Sequence, residues 1–176
     1  MAGSLVKVNE NILGSDTSSV TLTGIDSTYD VYVFSYNLVI PTVDAGDLLL
    51  RFTESGTPNT SANYDRASKG IEPAGAFFNV NATNETHTNL TGSADNNTGK
   101  GSSNGILYIF NANNSSEFTF ATREGAYLVD NENLSSLVGG NVFTVASAVD
   151  GINVFYDFPT ANIRSGARFV LYGLKK

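Results

Sequence analysis

Cysteine is absent from the 176 residues. That excludes a disulfide framework, a thiolate metal site and a cysteine nucleophile. Histidine occurs once, at His87, so a multi-histidine zinc site is excluded and imidazole catalysis has little scope. Tryptophan and glutamine are also missing. Charged residues make up only 15% of the chain, against roughly 25% in an ordinary globular domain. Acids outnumber bases by 17 to 10, giving a net charge of −7. Such a chain lacks the basic patch that phosphates require, so no nucleic-acid partner is expected. No stretch approaches the roughly 18 apolar residues of a membrane span. The longest apolar-rich run, Val31 to Ile40, is interrupted by Ser35 and Asn37, and no membrane partner is expected. The first ten residues lack the apolar core of an export signal, so the expectation is synthesis in a cytoplasm.

Polarity comes instead from 20 Asn, 18 Ser, 17 Thr and 17 Gly. Apolar residues still make up 41% and aromatics 11%, enough for a folded core. Eight Asn-x-Ser/Thr triplets begin at Asn59, Asn81, Asn84, Asn89, Asn96, Asn113, Asn114 and Asn133. In a chain of this composition they are expected by chance and do not imply glycosylation.

Period-two alternation dominates, the pattern of half-buried strands. Asp30 to Ile40 puts Tyr32, Phe34, Tyr36, Leu38 and Ile40 on one face, and Pro41 should end the strand. Further strands are expected over Ser19 to Ile25, Asp47 to Thr53, Ala76 to Val80, Gly105 to Phe110, Glu117 to Thr122, Gly125 to Val129, Asn141 to Val149, Ile152 to Phe158 and Ala167 to Leu174. Asp150-Gly151 reads as a two-residue hairpin turn. Asn133 to Val138 could form one short helical turn, ended by Gly139-Gly140. Residues 54–75 read as a long surface loop. Residues 81–104 read as a second, since only Ala82, Leu90 and Ala94 are apolar there. This second loop is expected to be mobile or ordered by a neighbour. The fold class is therefore all-β: an antiparallel two-sheet sandwich, jelly-roll-like, with long polar surface loops. Residues 1–16 read as an N-terminal arm, and residues 17–176 as a single sandwich domain.

Catalytic motifs fail individually. Gly101-Ser102-Ser103-Asn104-Gly105 fits G-x-S-x-G, but a polar loop precedes it and a strand follows, the reverse of a nucleophile elbow. His87 reads as a solvated loop residue. Asp44-Ala45-Gly46-Asp47 and Asp130-Asn131-Glu132-Asn133 are the densest acidic groups, and neither matches a calcium loop. Gly99-Lys100-Gly101 is no phosphate loop, because Ala94 stands where the first glycine belongs and Gly101 replaces the Ser/Thr. The expectation is no enzyme, no catalytic residue, no metal and no cofactor. Tyr32, Phe34 and Tyr36, with Phe118 and Phe120, are spaced for one strand face, as core or as a subunit interface.

The segment Ile163-Arg164-Ser165-Gly166-Ala167-Arg168-Phe169-Val170-Leu171-Tyr172-Gly173-Leu174-Lys175-Lys176 resembles the ending of small structural proteins of tailed-bacteriophage virions. Ser27 to Phe34, Leu49 to Thr53 and Ser61 to Asp65 are similar to the same group. The resemblance implies a virion component assembled in a bacterial cytoplasm. On it, the expected function is a non-enzymatic capsid decoration or cement protein that binds the head as a homotrimer, with the major capsid protein or other virion proteins as partners. The alternative is a receptor- or carbohydrate-binding module of a fibre or tail.

Overall fold

The computed structural model describes residues 4–44, 46–73, 75, 77–129 and 132–175. Strands are β1 Ser4–Ile12, β2 Ser19–Thr23, β3 Val31–Val39, β4 Leu48–Glu54, β5 Thr57–Pro58, β6 Tyr64–Ile71, β7 Phe77–Asn79, β8 Ala82–Glu85, β9 Thr88–Asn89, β10 Ser103–Phe110, β11 Asn113–Leu128, β12 Leu134–Ala148, β13 Gly151–Tyr156 and β14 Arg168–Lys175. No helix occurs among the described residues. Nine strands form one sheet in the order β1-β14-β3-β10-β11-β12-β6-β7, with β8 also on β6. Five form the other in the order β2-β13-β4-β5, with β9 on β4. Pairing is antiparallel throughout. The expected antiparallel two-sheet sandwich is what the chain forms.

Alternation builds the core. Tyr32, Phe34 and Tyr36 of β3, Leu107 and Ile109 of β10, and Phe169 and Leu171 of β14 face Leu48, Leu50 and Phe52 of β4 and Ile152 and Val154 of β13. Phe52, Tyr64 and Phe143 pack ring against ring, with Tyr64 and Phe143 centroids 4.9 Å apart. Burying each such ring contributes several kcal/mol, on the order of 3–5 by truncation.

Several sequence expectations need correction. Alternation in β3 breaks at Leu38, which is 59% exposed and has φ of 56°. The register of β3 on β10 slips there, and the Leu38 amide donates to Asn104 Oδ1 at 3.0 Å. Val39, rather than Leu38, therefore enters the core. Residues 4–12, read as part of an arm, form β1 and pair with β14 of the same chain. Glu10 ties the two strands by accepting from Arg168. The two strands expected over residues 117–122 and 125–129 are one, β11, because Arg123 interrupts the apolar pattern while pointing inward. The helical turn expected over 133–138 is strand β12, paired on both sides. The surface loop over 54–75 contains β5 and β6.

Residues 81–104 differ most from expectation. Thr88, Asn89, Leu90, Thr91, Ala94 and Asp95 are buried. The segment is held within its own chain. Its β9 pairs with β4, the Leu90 amide donates to Leu48 O at 2.7 Å, and the Tyr36 hydroxyl donates to Leu90 O at 3.2 Å. Polar side chains add to the backbone bonds: the Leu48 amide donates to Thr91 Oγ1 at 3.0 Å and Asn89 Nδ2 to Asp47 Oδ2 at 2.8 Å. The inner face of β6, β11 and β12 carries Arg66, Ser68, Arg123, Ser135 and Asn141. Thr88 Oγ1 donates to Asn141 Oδ1 of that face, while the Ser68 and Ser135 hydroxyls and the Arg123 guanidinium make no hydrogen bond among the described residues.

Candidate functional site

The residues that carried catalytic motifs in the sequence do not converge. Ser103 begins β10 and is 1% exposed. His87 is half-buried rather than solvated, and its ring contacts Thr86 Oγ1 at 3.2 Å. Burial, then the Arg66 charge, hold its pKa below the usual imidazole value. Asp44 Oδ1 accepts from the Asn96 amide at 2.9 Å. Within the second acidic group, Asp130 and Asn131 lie outside the described residues. Glu132 accepts from Lys100 Nζ at 2.7 Å, and that contact lowers its pKa. No cluster of three potential metal ligands occurs among the described residues.

Two other features stand out. The first is the outer face of the nine-stranded sheet. Phe118 and Phe120 point outward from β11, alternating with the buried Thr119 and Ala121. Tyr108 projects from β10 on the same face, opposite Thr122. All three rings are more than two-fifths exposed. Phe120 and Val142 are cross-strand partners, as are Thr122 and Gly140, and Gly140 and Ala67. The small residues at Gly140, Ala67 and Ala82 lower the floor into a shallow depression of about 510 Å³ beside Phe120. Period-two spacing placed Phe118 and Phe120 on one face. It did not show which face would be covered.

The second feature is a half-open cavity of about 310 Å³ where the ends of β7, β11 and β12 meet the segment after β9. Asp47, Asn89, Ser93, Ser135, Tyr127 and Phe78 are among its lining residues. Asp47 Oδ2 accepts from Asn89 Nδ2 at 2.8 Å, and the Asp47 amide donates to Asp157 Oδ1 at 2.9 Å. Burial first, then the Asp157 charge, push the Asp47 carboxyl up to about 6, against the attraction of Arg66 and Arg123. None of this was visible in the sequence, because its residues come from five separate segments.

The raised Asp47 pKa has a stability consequence. The folded chain holds this proton more tightly than the unfolded chain, whose carboxyl titrates near 3.8. The group therefore favours folding below pH 3.8, and that contribution is lost as the pH rises through about 6. At pH 7 the ionised carboxylate costs about 2 kcal/mol, allowing for partial solvation. Asp47→Asn is expected to raise the melting temperature at pH 7.5 and to leave it nearly unchanged at pH 4. Melting curves at the two pH values check this; an equal shift at both would contradict it.

No family model and no curated protein matches the chain. Among solved structures, it is similar to the Caenorhabditis elegans galectin LEC-6, with a TM-score of 0.36, 9% identity and 96% of each chain covered. A non-specific endo-β-1,3(4)-glucanase of family GH16 gives 0.23, with 9% identity over 84% of this chain and 62% of that one. A structure of infectious bursal disease virus, Gx strain, gives 0.18, with 11% identity over 99% of this chain and 39% of that one. The antiparallel two-sheet architecture rests on the chain's own strand pairing.

Proposed function

We propose that the chain is a non-enzymatic structural protein of a virion, a head decoration protein that binds the capsid as a homotrimer. The observation that carries this reading is the outward aromatic face, with Tyr108, Phe118 and Phe120 exposed on a broad sheet. Exposed aromatic patches of this kind suit protein contacts. An acidic, cysteine-free sandwich without clustered metal ligands among its described residues offers shape and adhesion rather than reactivity. The resemblance of the C-terminal segment to phage structural proteins points the same way.

Light scattering during size exclusion should give three times the 18.7 kDa chain mass. Added protein should co-sediment with capsids of the source virus stripped of it, and Phe120→Asp should abolish that binding without unfolding the chain. A stable monomer that leaves capsids bare would overturn the proposal. A second reading, a receptor- or carbohydrate-binding module of a fibre or tail, draws on the cavity beside Asp47.

A further inference from the structure

We infer that copies of this chain assemble through the outer face of the nine-stranded sheet, with the β11 side of one copy packed on the β6 side of the next about an axis that runs along the strands over β12. The number of copies, three, rests on the decoration reading above; the choice of surface does not. Its first support is the composition of the face. Phe120, Val142 and Asp65 lie on one cross-strand level, Thr122, Gly140 and Ala67 on the next, and Glu124, Val138 and Lys69 on the third. Opposed residues of an antiparallel pair point to the same side, so the three levels stand together on the outer face. Followed across β10 to β3, they add Phe110 and Val31, Tyr108 and Val33, and Ile106 and Ser35. Of all these, only Asp65, Lys69 and Glu124 carry charge. At about 4.8 Å between strands and about 3.4 Å per residue, the five strands from β3 to β6 make a face of roughly 24 by 27 Å over the eight residues of β6 or β10, or about 650 Å². That approaches the roughly 800 Å² which one partner contributes to a standard interface.

The second support is that the face complements itself. Rotation about an axis parallel to the strands leaves each residue on its own level. With the axis over β12, β11 of one copy therefore meets β6 of the next level by level. Phe120 arrives at Asp65 and Val142, which line the hollow of about 510 Å³ floored by Gly140, Ala67 and Ala82. Glu124 arrives at Lys69. Within one chain these two stand two strands apart, about 10 Å by strand spacing, too far to pair. The Glu124 carboxylate makes no hydrogen bond or ion pair among the described residues. Lys69 Nζ spends one of its three donors on Asn79 Oδ1. One operation thus gives an exposed ring a hollow and a free carboxylate an ammonium group. The contact is heterologous, so it must close into a ring. The sheet order allows that: beyond β12 there is only β6 with the short β7 and β8, while the other side continues through four more strands past β11. The short side of each copy can therefore abut the long side of the next, and three copies close as a pinwheel.

Sedimentation equilibrium on the full chain tests the assignment. The parent should have the mass of three chains. Glu124→Lys sets like charges together at all three contacts, so the trimer association constant should fall by about a thousandfold, or about tenfold per contact. Lys69→Glu should do the same. The chain carrying both changes restores opposite charges at each contact and should regain the parent constant to within about tenfold. Both residues are exposed, so circular dichroism should show the same strand content in all four chains. A parent of any other mass overturns the inference, as does a Glu124→Lys chain that stays trimeric or a double change that restores nothing. Capsid co-sedimentation separates this surface from the decoration reading. A trimer that binds capsids and withstands Glu124→Lys overturns the surface and keeps that reading. A trimer that the charge changes break and restore, but that leaves capsids bare, keeps the surface and overturns that reading.

Discussion

Gly105→Ala is expected to destabilise the fold by about 3–5 kcal/mol, although it adds only one methyl group. The reason is a slot for an aromatic ring. Gly105 of β10 lies between Tyr36 of β3 and Gly125 of β11 in the cross-strand register. The Tyr36 side chain, 1% exposed, lies across both glycines. A Cβ on Gly105 would sit 2.3 Å from the Tyr36 hydroxyl oxygen, 2.5 Å from its Cζ and 2.7 Å from Glu124 O. The last is backbone in a paired strand and cannot yield. Gly125 is different. A Cβ there would meet the Tyr36 hydroxyl at 2.5 Å, but its next neighbours are 3.4 Å away or more. Gly125→Ala alone should therefore cost about 1–3 kcal/mol.

A double-mutant comparison separates the two cases. Tyr36→Phe removes the hydroxyl and costs about 1 kcal/mol through the lost bond to Leu90 O. In the Tyr36→Phe background Gly125→Ala should become nearly neutral, while Gly105→Ala should remain strongly destabilising because Cζ and Glu124 O stay in place. Denaturant midpoints for the six chains measure this. Simple additivity in both cycles would mean that the ring is not what these glycines accommodate. The slot also reaches the candidate site. Tyr36 holds Leu90, Leu90 adjoins Asn89, and Asn89 lines the cavity beside Asp47. Hydrogen exchange at Leu90 should therefore accelerate in Gly105→Ala more than global stability alone predicts.

The halves of the sandwich were unequally legible in the sequence. Where the inner face is apolar, as in β3, β4, β13 and β14, alternation identified the strands to within two residues. Where it is polar, the signal disappeared. The inward positions of β6 are Tyr64, Arg66, Ser68 and Gly70, and those at the start of β12 are Ser135, Leu137 and Gly139. A hydrophobic pattern cannot show these as a buried face. The cover was misread for the same reason. Residues 88–95 have too few apolar atoms to build a core of their own, yet they are buried, held by backbone bonds to Gly46, Leu48 and Leu128 and by the side chains of Asn89 and Thr91. Only Leu90 and Ala94 among them enter the main hydrophobic cluster. The cavity assembled from Asp47, Asn89, Phe78 and Ser135 depends on this cover, so it could not be seen before residues 88–95 were placed. The aromatic face was half legible: spacing grouped Phe118 with Phe120, and only the sheet order shows that no other element of the described chain lies over them.

Asp150→Ala is expected to lower stability by about 3 kcal/mol, an effect large for a residue at a strand connection. Asp150-Gly151 carries a hairpin signature, yet the flanking strands do not pair: β12 belongs to one sheet and β13 to the other. The two-residue turn with positive φ lies instead at Ser55-Gly56, with φ of 51° and 74°, between β4 and β5. Asp150 clamps that turn. Its Oδ1 accepts from Thr53 Oγ1 at 2.6 Å and its Oδ2 from the Gly56 amide at 2.7 Å. Its backbone carbonyl accepts from the Gly24 and Ile25 amides at the end of β2, and its amide donates to Thr53 O. One residue thus joins the crossing chain to both neighbours of β13. Gly151 permits this approach, since a Cβ there would lie 2.4 Å from Leu22 O. The two carboxylate bonds are not equal in consequence. Water can replace the bond to Gly56, which is exposed. Thr53 is fully buried, so its hydroxyl would be left unsatisfied and most of the cost arises there. Thr53→Val in the Asp150→Ala background should therefore recover most of the loss, because it removes the stranded hydroxyl at nearly constant shape. Asp150→Asn retains one acceptor oxygen and should fall between the parent and Asp150→Ala. Urea unfolding of the parent and the three variants, compared at constant slope, decides the matter: an Asp150→Ala chain within 1 kcal/mol of the parent, or no recovery on adding Thr53→Val, would show that the carboxylate does not clamp the crossing chain to the β4–β5 turn.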